Sequence, residues 1–240
     1  MEMVIPNWNA PKNVKAFSST RIGGFSLAPY EGLNLGTHVG DDSSLVERNR
    51  NWLLQQAQLP AMPIWLNQTH STNVIEVSSS TNDILDADGL FTQHPNVVCS
   101  AMTADCLPVL LTNTAGTQVS AVHAGWRGLA NGIIENAVAQ FSGDVIAWLG
   151  PAIGPLAFEV GHDVYQAFVD VDVKAFHAFS AKGDGKWLAN MSQLAILRLN
   201  QCGVEQVFDS GLCTYQDPAR FYSYRRDGIT GRQASFVWIE

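Results

Sequence analysis

The alternation of apolar and polar positions cuts the chain into short strand-like runs and a few helical stretches. Residues 14–20 read as a strand that ends at Arg21-Ile22-Gly23-Gly24, where paired glycines permit positive φ. A loop with Asn34 and His38 follows. Ser44-Leu45-Val46-Glu47 has capping-box spacing, and Leu45, Val46, Trp52 and Leu53 recur at helical intervals, which predicts a helix over residues 44–58. Further strands are predicted at residues 63–67 and 73–77. Strand signal is densest at residues 97–102, 107–112 and 118–123, which are apolar or β-branched runs separated by turn residues. After Gly125-Trp126-Arg127-Gly128, the residues Ile134, Ala137, Val138 and Phe141 mark one helix face. Residues 145–149 form another buried strand, stopped by Gly150-Pro151. The last third gives helices at 164–169 and 188–199 and strands at 204–208, 221–224 and 235–239. Strands and helices mix without βαβ alternation, so the expected class is α+β: one domain over residues 1–240, with packed sheets flanked by helices.

Composition narrows the function. At 240 residues, 46% hydrophobic and 15% charged, the chain has ample core material and no need of disulfide or metal staples. Fourteen Lys plus Arg against 22 Asp plus Glu leave a net charge of −8, which opposes binding to nucleic acid or an anionic membrane. Cys99, Cys106, Cys202 and Cys213 include no Cys-x-x-Cys pair and read as reduced thiols, so a cytoplasmic location is expected. The N-terminal residues lack the basic and apolar runs of a signal peptide, and the most apolar stretch is interrupted by Asp105 and Pro108.

Reactive chemistry has few places to live, because the chain has six histidines. His70 follows a predicted strand, in Asn67-Gln68-Thr69-His70-Ser71. His123 ends a strand just before the Gly-Trp-Arg-Gly turn, and Cys106 sits in a turn between two apolar strands. Rigid scaffolds present reactive groups at such strand ends. Two imidazoles and a thiolate with an open fourth position suit a catalytic zinc or a copper. The same cysteine beside a histidine would equally serve as a nucleophile with its base and no metal. The turn after His123 leads from strand to helix, where free N–H groups favour an anion beside Arg127. Arg21 next to Gly23-Gly24, and Arg225-Arg226 after Phe221-Tyr222-Ser223-Tyr224, are further candidates to grip phosphate or carboxylate.

Six blocks together resemble a known family: Ser18-Ser19-Thr20-Arg21-Ile22-Gly23-Gly24, Asn67-Gln68-Thr69-His70, Thr103-Ala104-Asp105-Cys106-Leu107-Pro108, His123-Ala124-Gly125-Trp126-Arg127-Gly128, Gly150-Pro151-Ala152-Ile153-Gly154 and Ser223-Tyr224-Arg225-Arg226-Asp227. The chain resembles the bacterial laccase-domain family, also called the multicopper polyphenol oxidase or purine nucleoside phosphorylase family, which includes the peptidoglycan editing factor. The resemblance runs in order along nearly the whole chain. It implies a fold similar to the catalytic domain of cytotoxic necrotizing factor and a zinc or copper site at His70, Cys106 and His123.

Members of that family are described as polyphenol oxidases, as purine nucleoside phosphorylases that also deaminate adenosine, and as amidases that remove misplaced serine from a cell-wall precursor. Reducing dioxygen to water takes several coppers held by many histidines, often as His-x-His, a pattern this chain lacks. Zinc at the same residues would instead activate water for deamination or amide cleavage. Phosphorolysis needs an anion pocket, for which Arg21, Arg127, Arg225 and Arg226 are the candidates, and a proton donor for the base, at Asp105 or His38. Tyr224 is placed to stack on a purine, and Asn34 and Gln68 complete the expected substrate-binding set. The expectation is thus a zinc-dependent purine nucleoside phosphorylase and adenosine deaminase, monomeric or homodimeric. A serine-removing amidase acting on a UDP-MurNAc precursor, a copper polyphenol oxidase and a metal-free Cys-His hydrolase are the alternatives.

Overall fold

A computed structural model describes all 240 residues. Met3–Val4, Val14–Ser19, Gln233–Ile239 and Cys99–Thr103, in that spatial order, make an antiparallel sheet. A larger sheet runs in the order Gln206–Asp209, Val145–Leu149, Leu107–Asn113, Val119–Ala124, Gly89–Thr92 and Val74–Glu76, parallel only at its two outer pairs. Alternate side chains on a strand face opposite ways. Leu107, Val109 and Leu111 accordingly pack with Leu129, Ile133, Ile134, Leu194 and Leu199 of the helices Trp126–Asn131, Ile133–Val138 and Met191–Gln201. Leu110 points the other way, to Val14, Cys99, Ala101 and Val237 of the smaller sheet. With both faces covered, every residue of Leu107–Asn113 is buried, which explains the unbroken apolar run in the sequence. The outer face of the smaller sheet is covered in turn by the helix Ser43–Gln56, through Leu53 against Phe17, Phe236 and Trp238. The result is the α+β arrangement expected, layered as helix, sheet, sheet, helices, and no helix is long and apolar enough to cross a membrane.

Four expectations are corrected. The N-terminal helix is capped by Asp42, not Ser44: the Asp42 carboxylate accepts from both the backbone N–H and the hydroxyl of Ser44. The single helix expected after residue 128 is two, because Gly132 adopts φ 101° between them. Leu188 belongs to the strand Lys186–Ala189, paired with Glu159–Val160 and Phe179–Gly183, and the next helix starts only after the cap Asn190. Residues 221–224 form no strand. The Gln233 side chain takes a strand's place there, its amide oxygen accepting from Tyr222 N (2.8 Å) and its NH₂ donating to Tyr222 O (3.2 Å). Tyr224 then opens a short helix, Tyr224–Asp227, capped by Ser223.

Candidate metal centre

Strand register assembles the site. In the larger sheet Pro108 lies opposite His123, and Gly89 lies opposite Val122. The ladder continues one step to Asp88, whose carbonyl accepts from His123 N at 2.7 Å. Cys106, His123 and Asp88 therefore meet at one end of three neighbouring strands. The loop after Leu66–Asn67 brings His70 to the same end, with Nε2 3.8 Å from the Cys106 sulfur. The His70 and His123 rings stand edge to face with centroids 4.9 Å apart. One donor atom from each of His70, Cys106 and His123 lies within 4.8 Å of the other two.

Asp88, absent from the sequence-derived candidates, organises this cluster. It is fully buried, and its carboxylate accepts from three successive backbone N–H groups, of Thr69, His70 and Ser71, and from the Ser71 hydroxyl. That grip holds His70 at φ 61°, a backbone conformation unusual for a residue with a side chain. The same carboxylate receives His123 Nδ1 at 2.7 Å, which leaves Nε2 as the free ring nitrogen. A carboxylate behind a histidine in this way is the usual support of a metal ligand. Burial alone would raise the Asp88 pKa, but the bonds from His123 and Ser71 prevail and hold it down at about 2. Burial likewise favours a neutral Cys106 and a neutral His123. The neighbouring imidazoles outweigh it and draw the thiol down, while Cys106 and Asp88 push His123 up. Two imidazole nitrogens and a readily ionised thiol, backed by a carboxylate, are a donor set that fits zinc or copper.

Gly125 lets the cluster close. Its backbone is extended, so conformational freedom is not the reason for a glycine here. A Cβ at this position would stand 2.5 Å from His70 Cδ2 and 3.2 Å from Cys106 Sγ.

A cavity of about 380 Å³ opens on the three donors and is lined also by His38, Gln68, Tyr224 and Arg232. Gln68 is fixed in the wall by paired bonds of its amide to the backbone of Met102. His38 stands at the solvent-facing rim of the cavity, and partial desolvation of its ring, then the nearby Arg232 and Arg50, lower its pKa. The other sequence-derived residues lie elsewhere. Asp105 is turned away, its carboxylate accepting from the Thr214 hydroxyl and from Arg225 N. Asn34 is fully buried behind the wall and accepts from the backbone N–H groups of Gly36 and Arg232. Arg21 donates to the carbonyls of Pro218 and Glu31 beside a different surface cavity. Arg127 is exposed over the Trp126 ring. Arg225 donates to Glu159 O, and Arg226 is spent on Asp227 and on the carbonyls of Thr214, Tyr215 and Phe221. The cation in the cavity wall is Arg232. Arg232 carries the same sequence signal as Arg21 and Arg127, a glycine close by, in Gly231-Arg232.

Residues 15–240 match the family described as multi-copper polyphenol oxidoreductase laccase, and the chain belongs to this laccase-domain family. A Haemophilus influenzae protein named purine nucleoside phosphorylase is 52% identical over the full length of both chains. Purine nucleoside phosphorylase YfiH of Escherichia coli is 51% identical over 99% of each. Among solved structures, Neisseria meningitidis protein NMB0706 superposes with a TM-score of 0.96 at 45% identity, covering 100% of both chains. YlmD from Geobacillus stearothermophilus gives 0.87 at 28% identity over 95% of this chain and 93% of that one.

Proposed function

We propose that the protein is a zinc-dependent purine nucleoside phosphorylase that also deaminates adenosine. One observation carries the reading: the His70, Cys106 and His123 donors open onto a cavity bearing the exposed ring of Tyr224, in a chain about half identical to relatives named for that activity. Zinc held by the three side chains with one position open would supply Lewis acidity and an activated water. In phosphorolysis a phosphate oxygen bonds to the anomeric carbon while the C–N bond to the purine breaks, and the base departs with a proton. Tyr224 stacks on the purine, and the ring N–H of His38 hydrogen-bonds the purine as negative charge develops on it, the base taking its proton from water. Asp105, whose carboxylate is committed to Thr214 and Arg225, positions the turn that carries Cys106.

Copper fits the same donors, but the structure brings together a single group of three candidate donors, His70, Cys106 and His123, which favours one zinc over a multicopper array. A metal-free thiol nucleophile is favoured by the lowered Cys106 and raised His123 pKa values and is the second reading.

The test is a mass-spectrometric turnover assay on metal-quantified protein. It offers adenosine with phosphate and, separately, a serine-containing UDP-MurNAc precursor, with His123→Ala as control. Adenine with ribose 1-phosphate, and inosine, are expected, both lost in the variant. Serine release with nucleosides untouched would replace the proposal with the amidase. Turnover that survives chelation but not Cys106→Ala would replace it with the thiol nucleophile.

A further inference from the structure

The cavity beside the three donors contains one arginine and no lysine, and that arginine is incompletely used. The guanidinium of Arg232 has five N–H groups. Nη1 donates to the carbonyls of Thr230 (3.1 Å) and Gly231 (3.0 Å), within its own stretch of chain, while Nε and Nη2 make no hydrogen bond to the protein. Arg198, Arg220 and Arg226, by contrast, each pair with a carboxylate, and no acidic side chain lies within ion-pair distance of Arg232. The acidic groups that act on its charge are Cys106, Asp105 and Tyr224. Asp105 is spent on Thr214 and Arg225, and Cys106 is one of the three donors.

The side chain is also held in place rather than left to swing. A Cβ on Gly36 would stand 2.8 Å from Arg232 Cγ, and the side-chain Oδ1 of the buried Asn34 accepts from Gly36 N and Arg232 N together. Asn34 thus ties the loop bearing His38 to the start of the strand bearing Arg232, and sets both at the cavity wall. A partly buried cation with two unfilled donor nitrogens on one edge of a planar fork matches two oxygens of a tetrahedral anion.

We infer that Arg232 is the oxyanion anchor of the site, its Nε and Nη2 taking two oxygens of a phosphoryl group, with His38 alongside. The inference rests on the phosphorylase reading for its preferred source, inorganic phosphate, but the same fork would hold the diphosphate of a nucleotide-linked substrate. Arg21, Arg127, Arg225 and Arg226, the arginines that sequence favoured for this task, are not in the cavity wall.

The experiment is calorimetric titration of the metal-loaded protein with inorganic phosphate and, separately, with uridine diphosphate, for wild type, Arg232→Lys and Arg232→Gln. Losing two charge-assisted hydrogen bonds is expected to weaken phosphate binding at least tenfold in Arg232→Gln and less in Arg232→Lys. In turnover the KM for phosphate should rise by a similar factor, and by several-fold more than the KM for adenosine. A role confined to packing would move both substrates together. Phosphate affinity unchanged in a folded Arg232→Gln overturns the anchor while leaving phosphorolysis standing. Arg232-dependent phosphate binding without phosphorolysis defeats the proposed function and leaves the anchor. Uridine diphosphate binding that depends on Arg232, with no binding of phosphate, supports the anchor and assigns it to an esterified diphosphate. Should Arg232→Gln fail to fold, phosphate affinity in Arg232→Lys decides, with wild-type affinity again overturning the inference.

Discussion

Two residues that touch the donors without being donors decide whether the site exists. Asp88 satisfies four hydrogen-bond donors of the 69–71 loop and the Nδ1 of His123 with one carboxylate. In Asp88→Asn one of the two oxygens becomes an NH₂ that faces other donors, and the charge opposite His123 is gone. Zinc affinity should fall about 10–100-fold, and loss of the buried partner should cost about 3 kcal/mol of stability. Competition with a chromophoric chelator reads the first and urea unfolding the second, and wild-type affinity in a folded variant would remove Asp88 from the site. Gly125→Ala acts through volume instead. The added methyl meets the His70 ring and the Cys106 sulfur, so the imidazole must move. A shift of this kind costs on the order of 100-fold in turnover, whereas the melting temperature should change little, since the backbone at Gly125 accepts any side chain. Turnover measured beside a thermal melt separates the two, and an unchanged rate would show that His70 has room to move.

At the scale of elements, the segment leading into Tyr224 is held by a side chain where a strand was expected. Phe221 and Tyr222 are fully buried, and the Gln233 amide supplies both bonds that a neighbouring strand would give Tyr222. Gln233→Leu leaves a buried N–H and a buried C=O without partners and should destabilise the fold by about 2 kcal/mol or more. Because Tyr224 and Arg232 flank this latch, the variant should also raise the KM for adenosine. Equilibrium unfolding with steady-state kinetics checks both, and wild-type stability would mean that other groups satisfy Tyr222. Gln233 was not legible in the sequence, because a glutamine at the polar start of a strand, after Gly231-Arg232, gives no sign of what its amide reaches. Strands buried on both faces, such as Leu107–Asn113 and Val145–Leu149, were legible because their apolar runs are continuous. Two-residue strands such as Leu85–Asp86 and Glu159–Val160 carry too little pattern to be read. The donors could be read from their motifs and their places at strand ends. Asp88 could not, because its partners lie 17 to 19 residues before it and 35 after it, and only the sheet register brings them together.

For the whole molecule, the three donors come from a loop after a two-residue strand, from the turn before Leu107–Asn113 and from the end of Val119–Ala124. A metal bound by all three would tie the 69–71 loop to the larger sheet, a link supplied otherwise by Asp88. The extensive cores on both faces of that sheet do not depend on this link, so the chain should fold without metal and gain stability on binding it. Free zinc at about 100 times its dissociation constant should add about 2.7 kcal/mol, which for a chain of this size is a rise of roughly 5–11 °C in melting temperature. The rise should grow with the logarithm of free zinc, disappear with a chelator and be absent in Cys106→Ser, which keeps the size of the side chain but offers a poor ligand. Differential scanning calorimetry across a zinc series measures it. An equal rise in Cys106→Ser would place the stabilising zinc at some other point on the surface, and no rise in the wild type would leave Cys106 and His123 to act as a thiolate and its base.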